Sequence, residues 1–166
     1  MMRTLVLGIA ALLVGATAAV RAAEPVTLAP LFATSGGWLN GVATPQSVAG
    51  KVVVVDVFTV ECINCQNVTP NLRKLNANDD VRVIGIHTPE TRYEKDHATV
   101  VSNLKRLGVV WPVAVDNDMA LWKVYGIEYW PTQLIFDRHG RLRKTVIGDS
   151  QDDDVDATVK ALVMEK

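Results

Sequence analysis

Cys62 and Cys65 are the two cysteines of this chain, three positions apart in Cys62-Ile63-Asn64-Cys65. Thiols at that spacing can pass one disulfide between themselves and a second molecule: a thiolate attacks, a mixed disulfide forms, and the neighbouring thiol resolves it. The pair follows VVVVDVFT, a β-branched run after Lys51 that is too short for a helix and apolar on both faces. It precedes residues 63–77, where Ile63, Val68, Leu72 and Leu75 recur at helical spacing around Pro70, which should kink the helix. At such a strand-to-helix step the free N–H groups and dipole of the helix end favour negative charge on the first sulfur. Cys62 is therefore the expected nucleophile and Cys65, one turn deeper, the resolving thiol. A static disulfide is the plainer alternative, but so small a loop would stabilise the fold little.

Asp56 lies inside VVVVDVF, six residues before Cys62. A carboxylate on a strand covered on both faces is expensive to ionise, so its pKa should rise toward neutrality, where it can exchange protons with Cys65. On a half-exposed strand it would simply be solvated. Metal chemistry has less to work with. A closed zinc site wants four ligands, and His87, His97 and His139 are scattered without regular spacing. Two soft thiolates could hold Cu(I). A c-type haem is excluded because Gln66, not His, follows Cys65. No metal and no cofactor is expected.

The elements that must position these residues follow in order. VRVIGIH, residues 81–87, reads as a second strand, and residues 92–107 place Val100, Leu104 and Leu107 on one helical face ending at Gly108. Val113 to Val115 is a short strand, and Asp116-Asn117-Asp118 can cap a brief helix through Tyr125, stopped by Gly126. TQLIF after Pro131, the turn Asp137-Arg138-His139-Gly140 and a return over 141–147 form a hairpin. A last helix carries Val155, Val159, Leu162 and Val163. Residues 24–50 read as a loose lead-in with one short strand at most. Alternating βαβα, then a hairpin and a closing helix, predicts an α/β fold: three layers, with a central mixed β-sheet of about 4–5 strands flanked by helices.

At 166 residues, 49% of them hydrophobic and 21% charged, the chain has material for one packed domain. Seventeen basic against eighteen acidic residues, with no basic block, make nucleic acid an unsuitable partner. Arg3 precedes an uncharged stretch from Thr4 to Val20, and Val20-Arg21-Ala22 precedes Ala23, the pattern of a cleavable secretory signal over residues 1–22. An uncleaved membrane anchor is the rival reading. A lipid anchor would need a cysteine at the cut, and none precedes Cys62. Cleavage removes Arg3 and Arg21 and leaves fifteen basic against eighteen acidic residues, a net charge of −3. The expectation is a single domain over residues 23–166, a soluble monomer in a bacterial periplasm, where thiols meet an oxidising environment.

GKVVVVDVFTVECINCQNVTPNL, VIGIHTPE, LGVVWPVAVDNDMALWKVYGI and YWPTQLIFDRHGRL together resemble the thioredoxin superfamily, and within it the exported TlpA-like thioredoxins and the thioredoxin-like domain of DipZ-type proteins. The resemblance covers residues 38 to about 147. It implies a thioredoxin-like fold and dithiol–disulfide exchange, with Cys62 as attacking and Cys65 as resolving cysteine, Asp56 as the buried acid and Pro70 as the helix kink. It also implies that Pro131 is the cis-proline facing the cysteine pair, with the backbone of Trp130 exposed to an extended substrate; on the residues alone, a trans proline opening an edge strand serves as well. Ile63-Asn64 replaces the Gly-Pro of ordinary thioredoxin, a dipeptide that helps set the redox potential. Glu61 stands where thioredoxins carry Trp, and its charge should disfavour a thiolate at Cys62 and make the pair more reducing, unless it is simply solvated. His87 reads as a satisfied strand-end histidine.

Two rival functions use the same sulfurs. Thr59, three residues before Cys62, matches the peroxide-site threonine of peroxiredoxins, though Val55 stands where their motif needs proline. A Cu(I) carrier without turnover is the other. The favoured reading is an exported thiol–disulfide oxidoreductase acting on disulfide-containing exported proteins, working as a reductase and recharged by a membrane thiol donor.

Overall fold

The computed structural model describes residues 25–165; the expected signal, residues 1–22, lies outside them. The five valines, the aspartate and the phenylalanine of VVVVDVF build β2 (Val52–Phe58), buried at every position. It is the centre of a six-stranded sheet of order β1-β4-β3-β2-β5-β6. Here β1 is Trp38–Leu39, β3 Val81–His87, β4 Val113–Val115, β5 Thr132–Phe136 and β6 Leu142–Ile147. β2 pairs parallel with β3 and antiparallel with β5, β3 pairs parallel with β4, and β1 and β6 join antiparallel at the two edges. The mixed sheet thus has six strands where the sequence suggested four or five.

Period-two alternation along β2 sorts the helices into two layers. Val52, Val54 and Phe58 pack with Cys65, Val68 and Leu72 of α3 (Ile63–Asn76), Val100 and Leu104 of α4 (His97–Leu107), and Val155, Val159 and Leu162 of α6 (Asp152–Met164). Val53, Val55 and Val57 face the other cluster, with Leu31 of α1 (Ala29–Phe32), Val48 of α2 (Pro45–Val48) and Leu121 of α5 (Ala120–Val124). Asp56 has the parity of Val54 and Phe58, which places it on the α3 side. Beside it, Gly85 is paired in register; a β-carbon there would come within 2.9 Å of the Phe58 ring and 3.0 Å of Val113.

The lead-in is more ordered than its Gly- and Pro-rich composition suggests. Val26 accepts a hydrogen bond from the Leu142 N–H at 3.0 Å, and Thr27 bridges Arg141, so its start lies along β6. The Tyr125 hydroxyl donates to the Thr27 carbonyl and accepts from the Leu31 N–H, both at 3.2 Å. Further on, β1 covers the outer side of β4. These ties are long-range, which is why local composition hides them. A second correction concerns residues 92–107. The α-helix starts only at His97, capped by the Asp96 carboxylate on the Thr99 N–H at 2.8 Å, and a 3₁₀ turn, Tyr93–Lys95, precedes it. Gly108, in the left-handed region at φ +68°, ends α4. No helix among the described residues is long and apolar enough to cross a membrane.

Candidate functional site

The step from β2 into α3 presents the cysteines. Cys62 has extended backbone, caps α3, and accepts the Cys65 N–H on its sulfur at 3.3 Å. An N-cap acceptor takes one of the helix donors that would otherwise be left open, so the sulfur sits where negative charge is favoured. Cys62 is half-buried, whereas Cys65, one turn on, is only 3% exposed. Burial, followed by its hydrogen bond with Cys62, pushes the Cys65 thiol well up. Both cysteines are free. The intervening Ile63 and Asn64 face solvent, Ile63 at 66% exposure.

Asp56 lies on the same face of β2 as the cluster that holds Cys65, and its charge reaches that thiol. It is 3% exposed and its Oδ1 has no hydrogen-bond partner. Loss of water drives its pKa up to about 7, against a smaller opposing pull from the side-chain amide of Gln133, its cross-strand neighbour on β5. An acid poised near neutrality beside a buried thiol can take up and return one proton.

The Trp130–Pro131 peptide is cis. Around it, the Thr132 hydroxyl donates to the Tyr129 carbonyl at 2.7 Å, and the Gly148 N–H donates to the Pro131 carbonyl at 2.9 Å. The main chain of Trp130 makes no hydrogen bond among the described residues. Its indole is half-buried, packs against the cluster of α3, and lies 4.3 Å from the Trp122 ring, centroid to centroid, at 42°. Trp122 is held in turn by Asp116. That carboxylate accepts the N–H groups of Leu121 and Trp122 and the Thr88 hydroxyl, each at 2.9 Å. Asp116 and Asp118 thus cap α5 as the sequence suggested, while Asn117 turns to the Lys95 carbonyl.

Glu61 is exposed and accepts a hydrogen bond from Asn103 of α4 at 3.3 Å. His87 ends β3 as expected, but its ring is fully buried with neither nitrogen partnered, edge-on to Phe58 at 5.6 Å. Burial lowers its pKa to about 4, so the ring is neutral and not the satisfied histidine that the sequence suggested. The residue that sequence reasoning missed is Glu94. The sequence places it in the first turn of the helix expected over 92–107, yet it is fully buried in the 3₁₀ turn and collects hydrogen bonds from Thr59 and Glu61, just before Cys62, and from Glu90 and Thr91, after β3. No local signal distinguishes it. Among the described residues no group of three or more His, Cys, Asp or Glu could hold a metal ion.

Comparison with known proteins agrees with this geometry. Protein DipZ of Mycobacterium tuberculosis is 34% identical over 137 residues, covering 76% of this chain and 19% of DipZ. The chain therefore spans less than a fifth of that relative. Thiol-disulfide oxidoreductase YkuV of Bacillus subtilis is 27% identical, covering 68% of this chain and 78% of YkuV. Among solved structures, a thiol-disulfide isomerase from Corynebacterium glutamicum superposes with a TM-score of 0.69 at 28% identity, covering 78% of this chain and 92% of that one. The family described as Redoxin matches residues 27–162, a span that takes in the cysteine pair, the buried acid and the cis-proline. A sheet centred on β2, a dithiol at the tip of the helix that follows it, and this match together place the chain in the redoxin family, on a thioredoxin-like fold.

Proposed function

We propose that the chain is an exported thiol–disulfide oxidoreductase that reduces disulfides in other exported proteins. The carrying observation is the unequal pair: a half-buried Cys62 sulfur at a helix N-cap, with a buried Cys65 behind it and Asp56 on the strand below. The Cys62 thiolate attacks one sulfur of the substrate disulfide; that S–S bond breaks, a mixed disulfide forms and the first substrate thiolate leaves. Cys65 then gives its proton to ionised Asp56 and attacks the Cys62 sulfur. The Cys62–Cys65 disulfide forms and the second substrate thiolate departs. Two electrons have moved to the substrate, and Asp56 passes its proton to a leaving thiolate. The free main chain and half-buried ring of Trp130, beside Pro131, offer an extended segment backbone pairing and an apolar contact. Ile63 and Asn64 form the exposed bridge between the sulfurs and tune their potential, with Glu61 beside them. The Cys62–Cys65 disulfide is returned to the dithiol by a separate membrane thiol donor. Export rests on the uncharged stretch from Thr4 to Val20.

A peroxidase would need the Thr59 hydroxyl at the peroxide, but Thr59 is fully buried and that hydroxyl donates to Glu94. The test combines redox equilibration with trapping. Equilibrated against glutathione or dithiothreitol, the pair should show a potential toward the thioredoxin end of the range of about −270 to −120 mV spanned by dithiol proteins. Reduced protein should cleave a protein disulfide, Cys62→Ser should lose that activity, and Cys65→Ser should accumulate the mixed disulfide. Retained activity in Cys62→Ser overturns the reading.

A further inference from the structure

Glu94 belongs to no element that carries the cysteines, yet it is built into their support. Its Oε1 accepts the Thr59 hydroxyl and, at 3.2 Å, the Glu61 N–H; its Oε2 accepts the N–H groups of Glu90 at 3.0 Å and Thr91 at 2.8 Å. One carboxylate thus joins the three residues before Cys62 to the turn that follows β3, and it does so with no exposure to solvent. Burial by itself would push this carboxyl up, but the Thr59 hydroxyl and the backbone N–H groups outweigh it and hold it below the usual glutamate range. A buried carboxylate with four donors is ionised and geometrically fixed, and so are the groups that donate to it.

We propose that Glu94 is a positioning residue for the dithiol: it fixes the loop that presents Cys62 and holds a permanent negative charge on the N–H of Glu61, the residue before it. The proposal deepens the reductase reading and rests on it. Two consequences separate tether from charge. Loosening the loop slows attack on a protein disulfide, because the sulfur must be placed against a substrate that is itself held on the Trp130 ledge. Removing the charge favours the thiolate-bearing reduced form, so the dithiol becomes a weaker reductant.

Glu94→Gln tests both. An amide has one carbonyl oxygen, so whichever way it is turned its NH₂ group faces a pair of donors, and one side of the clamp opens. Thr59→Val removes one tether and keeps the charge. Each variant is compared with wild type in its rate with a protein disulfide and in its dithiol–disulfide equilibrium constant against glutathione; far-UV circular dichroism checks folding. Glu94→Gln should slow exchange by at least about fivefold and shift the equilibrium about threefold or more toward the dithiol. Thr59→Val should slow exchange by about twofold and leave the equilibrium unchanged. A role in folding alone would lower the melting temperature without moving the equilibrium constant of the folded protein.

Folded Glu94→Gln with wild-type rate and equilibrium overturns the proposal. Should Glu94→Gln fail to fold, Thr59→Val decides: slower exchange upholds the tether, and an unchanged rate overturns it. If wild type itself does not reduce protein disulfides, the reductase reading fails, and the glutathione equilibrium of Glu94→Gln still decides the role of Glu94.

Discussion

Asp56 and Glu94 are both carboxylic acids removed from water within the same small protein, and they are held in opposite protonation regimes. Asp56 stands mid-strand, where the backbone donors of β2 are committed to β3 and β5, and one of its oxygens finds no partner. Its pKa climbs to about 7. Glu94 stands in a turn, where backbone N–H groups are uncommitted and four donors converge on it, and it stays below its ordinary value. The contrast teaches that burial alone does not decide whether an acid is charged; the supply of donors does, and regular secondary structure withholds them. A proton carrier belongs on a strand, and a fixed charge belongs in a turn.

The largest expected effect concerns the unpartnered acid. Folded Asp56 holds its proton more tightly than the unfolded chain, whose carboxyl titrates near 3.8. Its contribution to stability is complete below that value and is lost as pH rises through about 7. Asp56→Asn should therefore stabilise the protein at pH 8 by up to ~4 kcal/mol and make little difference at pH 3.5. Denaturant melts at the two pH values check this; equal effects at both would break the contrast. The same substitution should slow resolution of the mixed disulfide by Cys65.

His87 extends the rule to a base, since its ring also lacks partners and sheds its charge. Its pKa falls from 6.5 to about 4, so protonation favours the unfolded chain, and stability should drop as pH falls through that window. His87→Leu should remove up to ~3 kcal/mol of that pH dependence, read from the slope of melting free energy against pH. Glu94→Gln comes next, at about 2 kcal/mol of destabilisation at pH 7, because donors on one side of the clamp lose their acceptor. Thr59→Val should cost about 1 kcal/mol, the share of one hydrogen bond. A larger loss from Thr59→Val than from Glu94→Gln would place the clamp's strength in the hydroxyl and not in the carboxylate.

What the sequence disclosed follows the same division. VVVVDVF, the cysteine pair and the helical spacing of Val68, Leu72 and Leu75 are local patterns, and their elements and shared cluster follow from period and polarity. The Glu94 clamp joins residues 35 positions apart, and its carboxylate lies in a string that reads as the start of a helix. β1 is two residues long and exists by pairing with β4. The ring of His87 departs from expectation for a related reason, because nothing in HTPE announces that both nitrogens are buried without a partner. Short-range periodicity reports which face is buried, and it is silent on which polar atoms meet there.

The lead-in has a consequence for self-association. A sheet with bare flanks templates the addition of another chain. Here Val26 and Thr27 cover the start of the β6 flank, further along which Arg143 and Lys144 bring charge paired with Glu165 and Asp154, while the opposite edge strand, Trp38–Leu39, is only two residues long. Under the proposed function, the free main chain of Trp130 is left as the place where a substrate adds its own backbone, at the start of β5 inside the sheet and not on either outer flank.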